Sequence, residues 1–406
     1  MNVYADNAAT TRLSPVALRA MLPYLENQYG NPSSLYSLGQ RAKEAVETAR
    51  EEIAAAIHAA PRELTFTSGG SEADNQALRT AAALGKKAGK THIVSTAFEH
   101  HAVLHTLKAL EREGFSVTLL DVHSDGLVRP DELAAALRDE SCLVSIMYAN
   151  NEIGTVQPIA ELGAICRERG VLFHTDAVQA VGHLPIDAEA ANVDLLSASA
   201  HKFHGPKGAG FLYARRGVRL QSLIEGGTQE RGKRAGTENV AGIVGMAAAL
   251  SERIPRMEQD AVRVSALRDR MIAGLSEIPH AALNGDAARR LPGNVSFCFE
   301  GIEGESLLLL LDDRGICASS GSACTSGALD PSHVLLAIGR SHDVAHGSLR
   351  LTLGEDATEA EVDYIIQNVK EVVERLRGFA PVWRDLVCGK TPHILCKRGR
   401  DHGLIQ

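Results

Sequence analysis

LLSASAHKFHGPKGAGFLY, residues 195–213, restricts the fold and the chemistry of the chain more than any other stretch. Its apolar run ends in small hydroxyl residues, Lys202 follows, and a turn rich in glycine and proline comes next. A strand end is a rigid mounting for a lysine, and burial or a cationic neighbour can lower the pKa of its amine enough to supply a neutral nucleophile. A Ser-x-x-Lys pattern by itself is typical of a surface loop, so the interpretation depends on neighbouring motifs.

Two upstream segments supply such motifs. VLFHTDAVQAVGH, residues 171–183, indicates a strand that ends at Asp176, with Gln179 shortly after it. An ionised carboxylate there can keep the ring nitrogen of pyridoxal phosphate protonated, while Gln179 donates to the phenolic oxygen of the ring. ELTFTSGGSEADNQAL, residues 63–78, predicts a strand, a glycine turn and a helix that opens at Ser71, where backbone N–H groups suit a phosphate.

Along the chain, the glycine turn for a phosphate comes first, the carboxylate for a ring nitrogen second and the lysine third. This order resembles that of the fold-type I pyridoxal phosphate enzymes. Further motifs are similar to those of the cysteine desulfurases that serve iron–sulfur cluster assembly. They are YADNAATT (4–11), GNPSS (30–34), EHHAV (99–103), NNEIGTVQPI (150–159), RAGTEN (234–239) and SSGSACTSG (319–327). The last of these resembles the catalytic cysteine loop of that family, and the resemblance covers about residues 2–379.

The resemblance implies a fold-type I aminotransferase-like fold and roles for particular residues. The expected catalytic residues are Lys202, which would form the Schiff base, His100, which would stack on the ring and move protons, and Cys324, which would take the sulfur as a persulfide. The expected cofactor-binding residues are Gly70, Ser71, His100, Asn151, Asp176, Gln179, Ser199, His201, Lys202 and Thr237. Because the resemblance places Thr237 at the phosphate of the cofactor bound to a partner subunit, it also implies a homodimer.

Substrate binding is expected at Arg350 in the strand-like segment HGSLRLTLG. By resemblance, this guanidinium would bind the α-carboxylate of the substrate, since its parallel N–H groups fix a planar carboxylate in orientation. Asn31 and Asn151 are expected to assist near the carboxylate and the ring. The chain has Tyr36 where the family often has histidine, and the role of that position stays open.

The seven cysteines are widely spread and do not form a disulfide framework. Cys166 in a helical pattern and Cys298 in a strand pattern are expected to be buried, and Cys317 is expected to be a packed strand residue. Cys324 lies among small flexible residues, so we expect it to be exposed. The segment after it resembles the long-loop class of the family, which implies an iron–sulfur scaffold protein as sulfur acceptor and Cys324 as a transient metal ligand of the nascent cluster.

Alternating strand and helix patterns predict an α/β fold whose mostly parallel sheet is covered by helices on both faces. After a long helical stretch the pattern changes, which predicts a smaller α+β C-terminal domain. We place the large domain at residues 13–258 and the small domain at 1–12 and 259–380. The tail, 381–406, is predicted as loop-like, a kind of terminus that is often poorly ordered.

The composition excludes several classes of function. A net charge of −8 gives no general attraction to nucleic acid or anionic membrane. No apolar run reaches the roughly 20 residues of a membrane span, and the first residues lack the pattern of a signal peptide. We therefore expect a cytoplasmic protein without direct nucleic-acid or membrane partners.

The expected activity is conversion of L-cysteine to L-alanine, with the sulfur left on Cys324. A selenocysteine lyase would use the same residues and stays open, as does a non-catalytic relative that only binds partners. These motifs do not determine the final sulfur recipient, whether general cluster assembly, nitrogenase maturation or tRNA thiolation. They also leave open the role of the tail with Cys388 and Cys396.

Overall fold

The computed structural model describes residues 1–321, 331–390 and 395. The strands of these ranges are β1 Val3–Tyr4, β2 Leu64–Thr67, β3 His92–Thr96, β4 Ser116–Leu120, β5 Ser141–Ser145, β6 Leu172–Asp176, β7 Leu195–Ser199, β8 Gly210–Ala214, β9 Ala281–Leu283, β10 Asn294–Phe299, β11 Ile316–Cys317 and β12 Ser348–Thr352. The helices are α1 Pro15–Glu26, α2 Ser37–Ala56, α3 Gly70–Lys87, α4 His101–Arg112, α5 Pro130–Ala136, α6 Ile159–Arg169, α7 Gln229–Gly232, α8 Val240–Arg253, α9 Met257–Ser276, α10 Gly304–Asp312, α11 His333–Ala337, α12 His342–His346, α13 Glu359–Phe379 and α14 Pro381–Val387. None of the helices in these ranges is long and apolar enough to cross a lipid bilayer.

The largest sheet of the described residues has seven strands in the order β2-β8-β7-β6-β5-β3-β4. Strand β8 runs antiparallel to its neighbours β2 and β7, and the other neighbouring pairs are parallel. Every residue of β3, β5, β7 and β8 is buried, as expected for strands covered by helices on both faces. The predicted α/β fold with a mostly parallel sheet is confirmed.

The carboxyl ends of the strands place polar groups at one edge of this sheet. Strand β6 ends at Asp176, and β7 is followed by the 3₁₀ turn Ala200–Lys202. Strand β2 runs in the same direction as β7 and leads into α3, and the loop after β3 leads to His100 at the start of α4. Ligands of such sheets bind outside the carboxyl ends of the strands, which makes this edge the candidate site.

A second hydrophobic core lies between an antiparallel sheet of β9, β10 and β12 and the helices α9, α10 and α13. Val3 and Ala5 pack into this core, since β1 pairs with β11 beside it. These elements form the expected smaller α+β part of the fold. The domain boundaries stay a prediction. Helices α11 and α12 lie within the range predicted for the small domain, but their buried residues pack into the core of the large sheet.

The loop-like prediction for the tail is wrong for its first residues. Helix α14 follows α13 directly, and the guanidinium carbon of Arg377 lies 4.0 Å from the ring centre of Trp383. A Cβ at Gly301 would lie 2.8 Å from the Trp383 ring, so the glycine leaves room for that ring. The stacking of a large aromatic side chain on a cation stabilises the packing of α14 against α13.

The structure agrees with the predictions for two of the cysteines and corrects a third. Cys166 and Cys298 are buried as expected. Cys317 lies on a strand, but its side chain is exposed, so the prediction of a packed residue is wrong. Because side chains alternate along a strand, Ile316 takes the inward position of β11 and Cys317 the outward one.

Candidate active site

Lys202 reaches from the end of β7 to the N-terminal segment. Its Nζ donates hydrogen bonds to the carbonyl oxygens of Ala8 at 2.6 Å and Ala9 at 2.8 Å. The Nε2 of Gln179 donates to the same Ala8 carbonyl at 3.0 Å. Two predicted site residues from different loops therefore meet at residues 8 and 9.

Asp176 is buried beside the same lysine. Its Oδ1 accepts a hydrogen bond from the Val178 backbone N–H at 2.9 Å. Burial raises the pKa of this carboxyl, and the nearby charges of His100 and Lys202 oppose that rise. The surroundings suit a carboxylate that pairs with a protonated ring nitrogen, because two opposite charges offset each other's loss of hydration.

Asp74 on α3 is a second buried acid, and the charge of Asp176 acts on it. Burial, followed by the charge of Asp176, raises the pKa of Asp74 well above its usual value. His174 lies 3.6 Å from Asp74 and is neutral, because burial lowers the pKa of its ring to about 3. The charge of Lys202 lowers the pKa of Asp176, whereas the charge of Asp176 adds to the rise at Asp74, so Asp74 holds a proton more readily than Asp176 does.

The turn between β2 and α3 has the open backbone that a phosphate site needs. Gly69 has a φ of +152°, which residues with a side chain rarely adopt, and α3 begins at Gly70, one residue before the predicted start. A Cβ at Gly70 would lie 2.5 Å from Cγ2 of Val178, so a side chain does not fit there. The Ser199 Oγ would lie 3.5 Å from a Cβ at Gly69, which places this hydroxyl beside the turn.

His201 precedes Lys202 and is a neutral polar group. Burial, followed by the charges of Lys202 and Lys207, lowers the pKa of this imidazole to about 4. Its Nδ1 lies 3.1 Å from the hydroxyl of Thr10. A neutral ring held in this way can offer its other nitrogen to a ligand.

His100 caps α4 at the same edge of the sheet. Its Nδ1 accepts a hydrogen bond from the Ala102 backbone N–H at 3.1 Å, so the neutral ring carries its proton on Nε2. The His101 ring lies 6.3 Å from the His100 ring and 4.7 Å from the His333 ring, between centroids. Of these three histidines, His100 is the one that lies beside Asp176.

Arg350 on β12 is buried and only partly hydrogen-bonded. Its Nη2 donates to Asp6 Oδ1 at 2.8 Å, and its Nη1 lies 3.4 Å from the carbonyl oxygen of Asn151. Its Nε has no hydrogen-bond partner within the described ranges. A buried donor without a partner costs about 1–3 kcal/mol, and a bound carboxylate would remove that cost.

Other predicted residues lie apart from these contacts or outside the described part. Asn31, Ser71 and Thr237 are exposed, and the Asn31 Oδ1 accepts a hydrogen bond from the Ser33 backbone N–H. Cys324, the predicted sulfur acceptor and transient metal ligand, lies outside the described residues. Among the residues that are described, no group of three or more His, Cys, Asp or Glu side chains is arranged to hold a metal ion.

Sequence reasoning missed several groups that the fold brings to this edge. They are Asp6, Ala8, Asp74, Glu99, Glu152 and His174. Asp6 and Ala8 lie in the motif YADNAATT, but the bond to Lys202 spans 194 residues and leaves no local signal. Glu99 carried a usable signal, because an acidic residue directly before a predicted catalytic histidine is a candidate for a perturbed pKa.

Comparison with known proteins agrees with this geometry. The family described as aminotransferase class-V matches residues 3–365. A Clostridium botulinum (strain Hall) protein named cysteine desulfurase IscS is 52% identical over 391 residues, which cover 96% of this chain and 98% of the relative. The chain belongs to the cysteine desulfurases of the class-V aminotransferase family. A Methanosarcina thermophila protein of the same name is 52% identical over 380 residues and 94% of each chain.

Solved structures of relatives confirm the predicted fold-type I aminotransferase-like fold. A structure called NifS-like protein has a TM-score of 0.87 and 39% identity, covering 93% of this chain and 100% of that one. A structure described as SspA in complex with cysteine has a TM-score of 0.77 and 35% identity, covering 86% of this chain and 98% of that one.

Cysteine desulfurases of this family are pyridoxal phosphate enzymes, and the site fits that cofactor. Lys202 offers an amine, Asp176 a buried carboxyl group, and Gly69 and Gly70 a turn without side chains at the start of α3. When bound, pyridoxal phosphate supplies an electron sink for negative charge that develops at the Cα of an amino acid.

Glu99 provides a test of the electrostatics of the site. Its Oε1 accepts hydrogen bonds from Thr96 at 2.7 Å and Met147 at 3.0 Å, and burial raises its pKa from 4.5 to about 8. Between pH 4.5 and about 8, the folded protein therefore keeps a proton on Glu99 that the unfolded chain releases. The stability that depends on this protonated group is fully present below pH 4.5 and is lost as the pH rises to about 8. Glu99→Gln removes that loss, so the variant should gain up to about 5 kcal/mol of unfolding free energy relative to wild type over this range.

Urea unfolding of both proteins at several pH values measures this gain. A difference in unfolding free energy that stays constant across the range would contradict a buried Glu99 that is protonated in the folded protein.

Proposed function

We propose that this chain is a pyridoxal phosphate-dependent cysteine desulfurase that converts L-cysteine to L-alanine and transfers the sulfur to Cys324. The observation that carries the proposal is the position of the Lys202 amine, which lies beside Asp176 at the carboxyl edge of the large sheet, while Arg350 of β12 contacts the loop of Asn151 that follows β5. These three groups are the ones that the reaction requires for proton abstraction, for the cofactor ring and for the substrate carboxylate. The relative solved in complex with cysteine supports L-cysteine as the substrate.

Lys202 is the proposed base for the Cα proton of the substrate. The carbonyls of Ala8 and Ala9 bind the ammonium form and orient Nζ, so the amine receives the proton at a place where its charge is already hydrogen-bonded. His100 is proposed to move a second proton, because its Nε2 can donate while Nδ1 is held by the helix backbone. With the cofactor bound, Asp176 would keep the ring nitrogen protonated, and Gln179 would donate to the phenolic oxygen.

Gly70, Ser71, Ser199 and His201 are proposed to bind the phosphate. Support comes from the open turn before α3 and from the neutral state of His201, which can donate to an anion without a change of charge. The start of a helix attracts anions through its free N–H groups.

Arg350 is proposed to bind the substrate carboxylate. Its unpartnered Nε and its burial support this role, because a carboxylate would satisfy a donor that the described residues leave without a partner. Asn151, whose carbonyl lies near Nη1, is proposed to assist both the carboxylate and the ring, and Asn31 to assist from the exposed side.

Cys324 is proposed to act as a thiolate on the substrate sulfur. An S–S bond forms while the Cβ–S bond breaks, and the carbon then takes up a proton to give alanine. The persulfide would pass its outer sulfur to an iron–sulfur scaffold protein, with Cys324 as a transient ligand of the nascent cluster. The motif SSGSACTSG and the identity to relatives named cysteine desulfurase IscS support this assignment.

A homodimer is proposed as the active form, with Thr237 at the phosphate of the partner subunit. Support comes from Leu18, Leu22 and Leu25 on one face of α1, which are 45%, 39% and 61% exposed. Their spacing of four and three residues forms an apolar stripe, and contiguous exposed apolar surface typically marks an interface. Exposed Thr237 is free to meet a second chain.

A cytoplasmic location is proposed from the thiols. Cys142, Cys166 and Cys298 are free and buried. Reduced thiols of this kind are usual where glutathione and thioredoxin prevent disulfides.

The first test of the proposed function is the absorption spectrum of the purified protein. We expect a yellow protein whose visible band changes on addition of L-cysteine, and we expect Lys202→Ala to shift that band, because the cofactor is no longer bound through the lysine. A colourless wild-type protein that cannot be reconstituted with pyridoxal phosphate would refute the proposal.

The second test separates cofactor chemistry from sulfur acceptance. Cys324→Ala should bind pyridoxal phosphate and give spectral changes with L-cysteine, yet release almost no alanine and carry no persulfide. Cys317→Ala is the matched control, since that thiol is exposed and its loss should leave turnover within about two-fold and stability nearly unchanged. Alanine formation and mass spectrometry of the alkylated protein measure both. Trapped sulfur on Cys317 instead of Cys324 would show that the nucleophile is wrongly assigned.

The third test concerns the dimer. Leu22→Asp places a charge in the proposed interface, so sedimentation should show a monomer with lower cofactor occupancy. Leu309→Asp is the control, because Leu309 is 73% exposed on α10 and lies outside the α1 stripe. A wild-type monomer that is fully loaded with cofactor and fully active would contradict the proposal.

A further inference from the structure

Asp6 joins Arg350 to the chain that precedes Cys324. Its two carboxylate oxygens have different partners: Oδ1 accepts from Arg350 Nη2 at 2.8 Å, and Oδ2 accepts from Ser319 Oγ at 2.8 Å. Ser319 and Arg350 also exchange backbone hydrogen bonds of 2.6 and 3.2 Å. A single carboxylate therefore holds both the guanidinium and a residue five positions before Cys324.

The chain that follows residues 322–330 also contacts a carboxylate near Arg350. The Ser332 hydroxyl donates to the buried carboxylate of Glu152, and a Cβ at Gly321 would lie 2.7 Å from Glu152 Oε2. Burial raises the pKa of Glu152 to about 7, and the charge of Arg350 opposes that rise. Residues before and after the segment with Cys324 thus each contact a carboxylate that lies near Arg350.

The charge of Asp6 has a direct effect on Arg350. The guanidinium is only 4% exposed, and removal of the counter-ion of a buried charge is strongly destabilising for that charge. Asp6 binds at Nη2 and so fixes the plane of the group, while Nε stays available for a ligand. Without this partner, the guanidinium would keep the longer contact of its Nη1 with the Asn151 carbonyl, which orients the group less firmly.

We propose that Asp6 is a positioning residue that orients Arg350 for the carboxylate of the substrate and, through Ser319, holds the chain that leads to Cys324. The inference rests on the proposed function and deepens it. It predicts that the two contacts of Asp6 serve separate parts of the reaction: the Arg350 contact serves substrate binding, and the Ser319 contact serves the transfer of sulfur to Cys324.

The test uses the pyridoxal phosphate-loaded full chain and four proteins: wild type, Asp6→Asn, Ser319→Ala and Asp363→Asn. Asp363 is the matched control, because it also pairs with an arginine, at 2.7 and 2.8 Å, but on an exposed surface away from the site. L-alanine is the probe of the carboxylate site, since it carries the carboxylate without sulfur, and its binding is followed by the visible absorption band. The rate of persulfide formation on Cys324 is measured in a single turnover with L-cysteine, by alkylation and mass spectrometry.

Asp6→Asn should weaken L-alanine binding by about 10-fold or more, as expected for loss of a charge-assisted hydrogen bond, and should slow persulfide formation as well. Ser319→Ala should bind L-alanine within about two-fold of wild type and slow persulfide formation by about 10-fold or more, the size of one lost hydrogen bond to a charged group. Asp363→Asn should match wild type in both measurements.

The inference is overturned if Asp6→Asn binds L-alanine as wild type does, or if Ser319→Ala forms the persulfide at the wild-type rate. A merely structural role would also be revealed by equal losses in both measurements for Ser319→Ala. A wild-type protein whose band does not respond to L-alanine or L-cysteine would instead refute the proposed function, which distinguishes the two failures.

Discussion

The hydrogen bonds of the N-terminal segment are the contacts on which the rest of the site depends. Ala5 packs in the second core, while the carbonyls of Ala8 and Ala9 bind the Lys202 amine at the edge of the large sheet. Between them, Asp6 binds Arg350. One short segment, which turns at residues 7–9, thus runs from the second core to the edge of the large sheet and contacts both Lys202 and Arg350. If this segment were displaced, the amine would lose the carbonyls of Ala8 and Ala9, and the guanidinium would lose the Asp6 carboxylate.

The acids of the site form a second level of organisation. Glu99, Asp74 and Asp176 are buried near one another, and each carries a raised pKa because burial disfavours the charged form. Among these three acids, Asp176 is the one on which the charge of Lys202 acts against the effect of burial. Of these three acids, Asp176, which would face the cofactor ring in the proposed function, is therefore the one whose ionised form a nearby lysine favours. This arrangement costs stability at higher pH, which is common at functional sites.

Much of the fold could be read from local patterns. The strand and helix alternation from β2 to β8 predicted the mostly parallel sheet, because strands covered on both faces must be continuously apolar. Asp176, Lys202 and Arg350 were recognisable, since each follows or lies in a strand pattern within a motif of similar proteins. The helix at the start of the tail could not be recognised in this way. It is stabilised by the stacking of Trp383 on Arg377, a contact between two helices that the seven residues of α14 by themselves do not indicate.

The sequence alone was enough for the class of fold, the family and the residue types of the chemistry, because these depend on periodicity and on short motifs. It could not give the partners of those residues. The Asp6 carboxylate meets Arg350 across 344 positions, and Ala8 meets Lys202 across 194. Contacts at such separations arise only when the strands have been ordered and the two cores have packed together. The same is true of the protonation states, since the pKa of Asp74 or Glu99 follows from burial and from neighbouring charges that exist only in the folded chain.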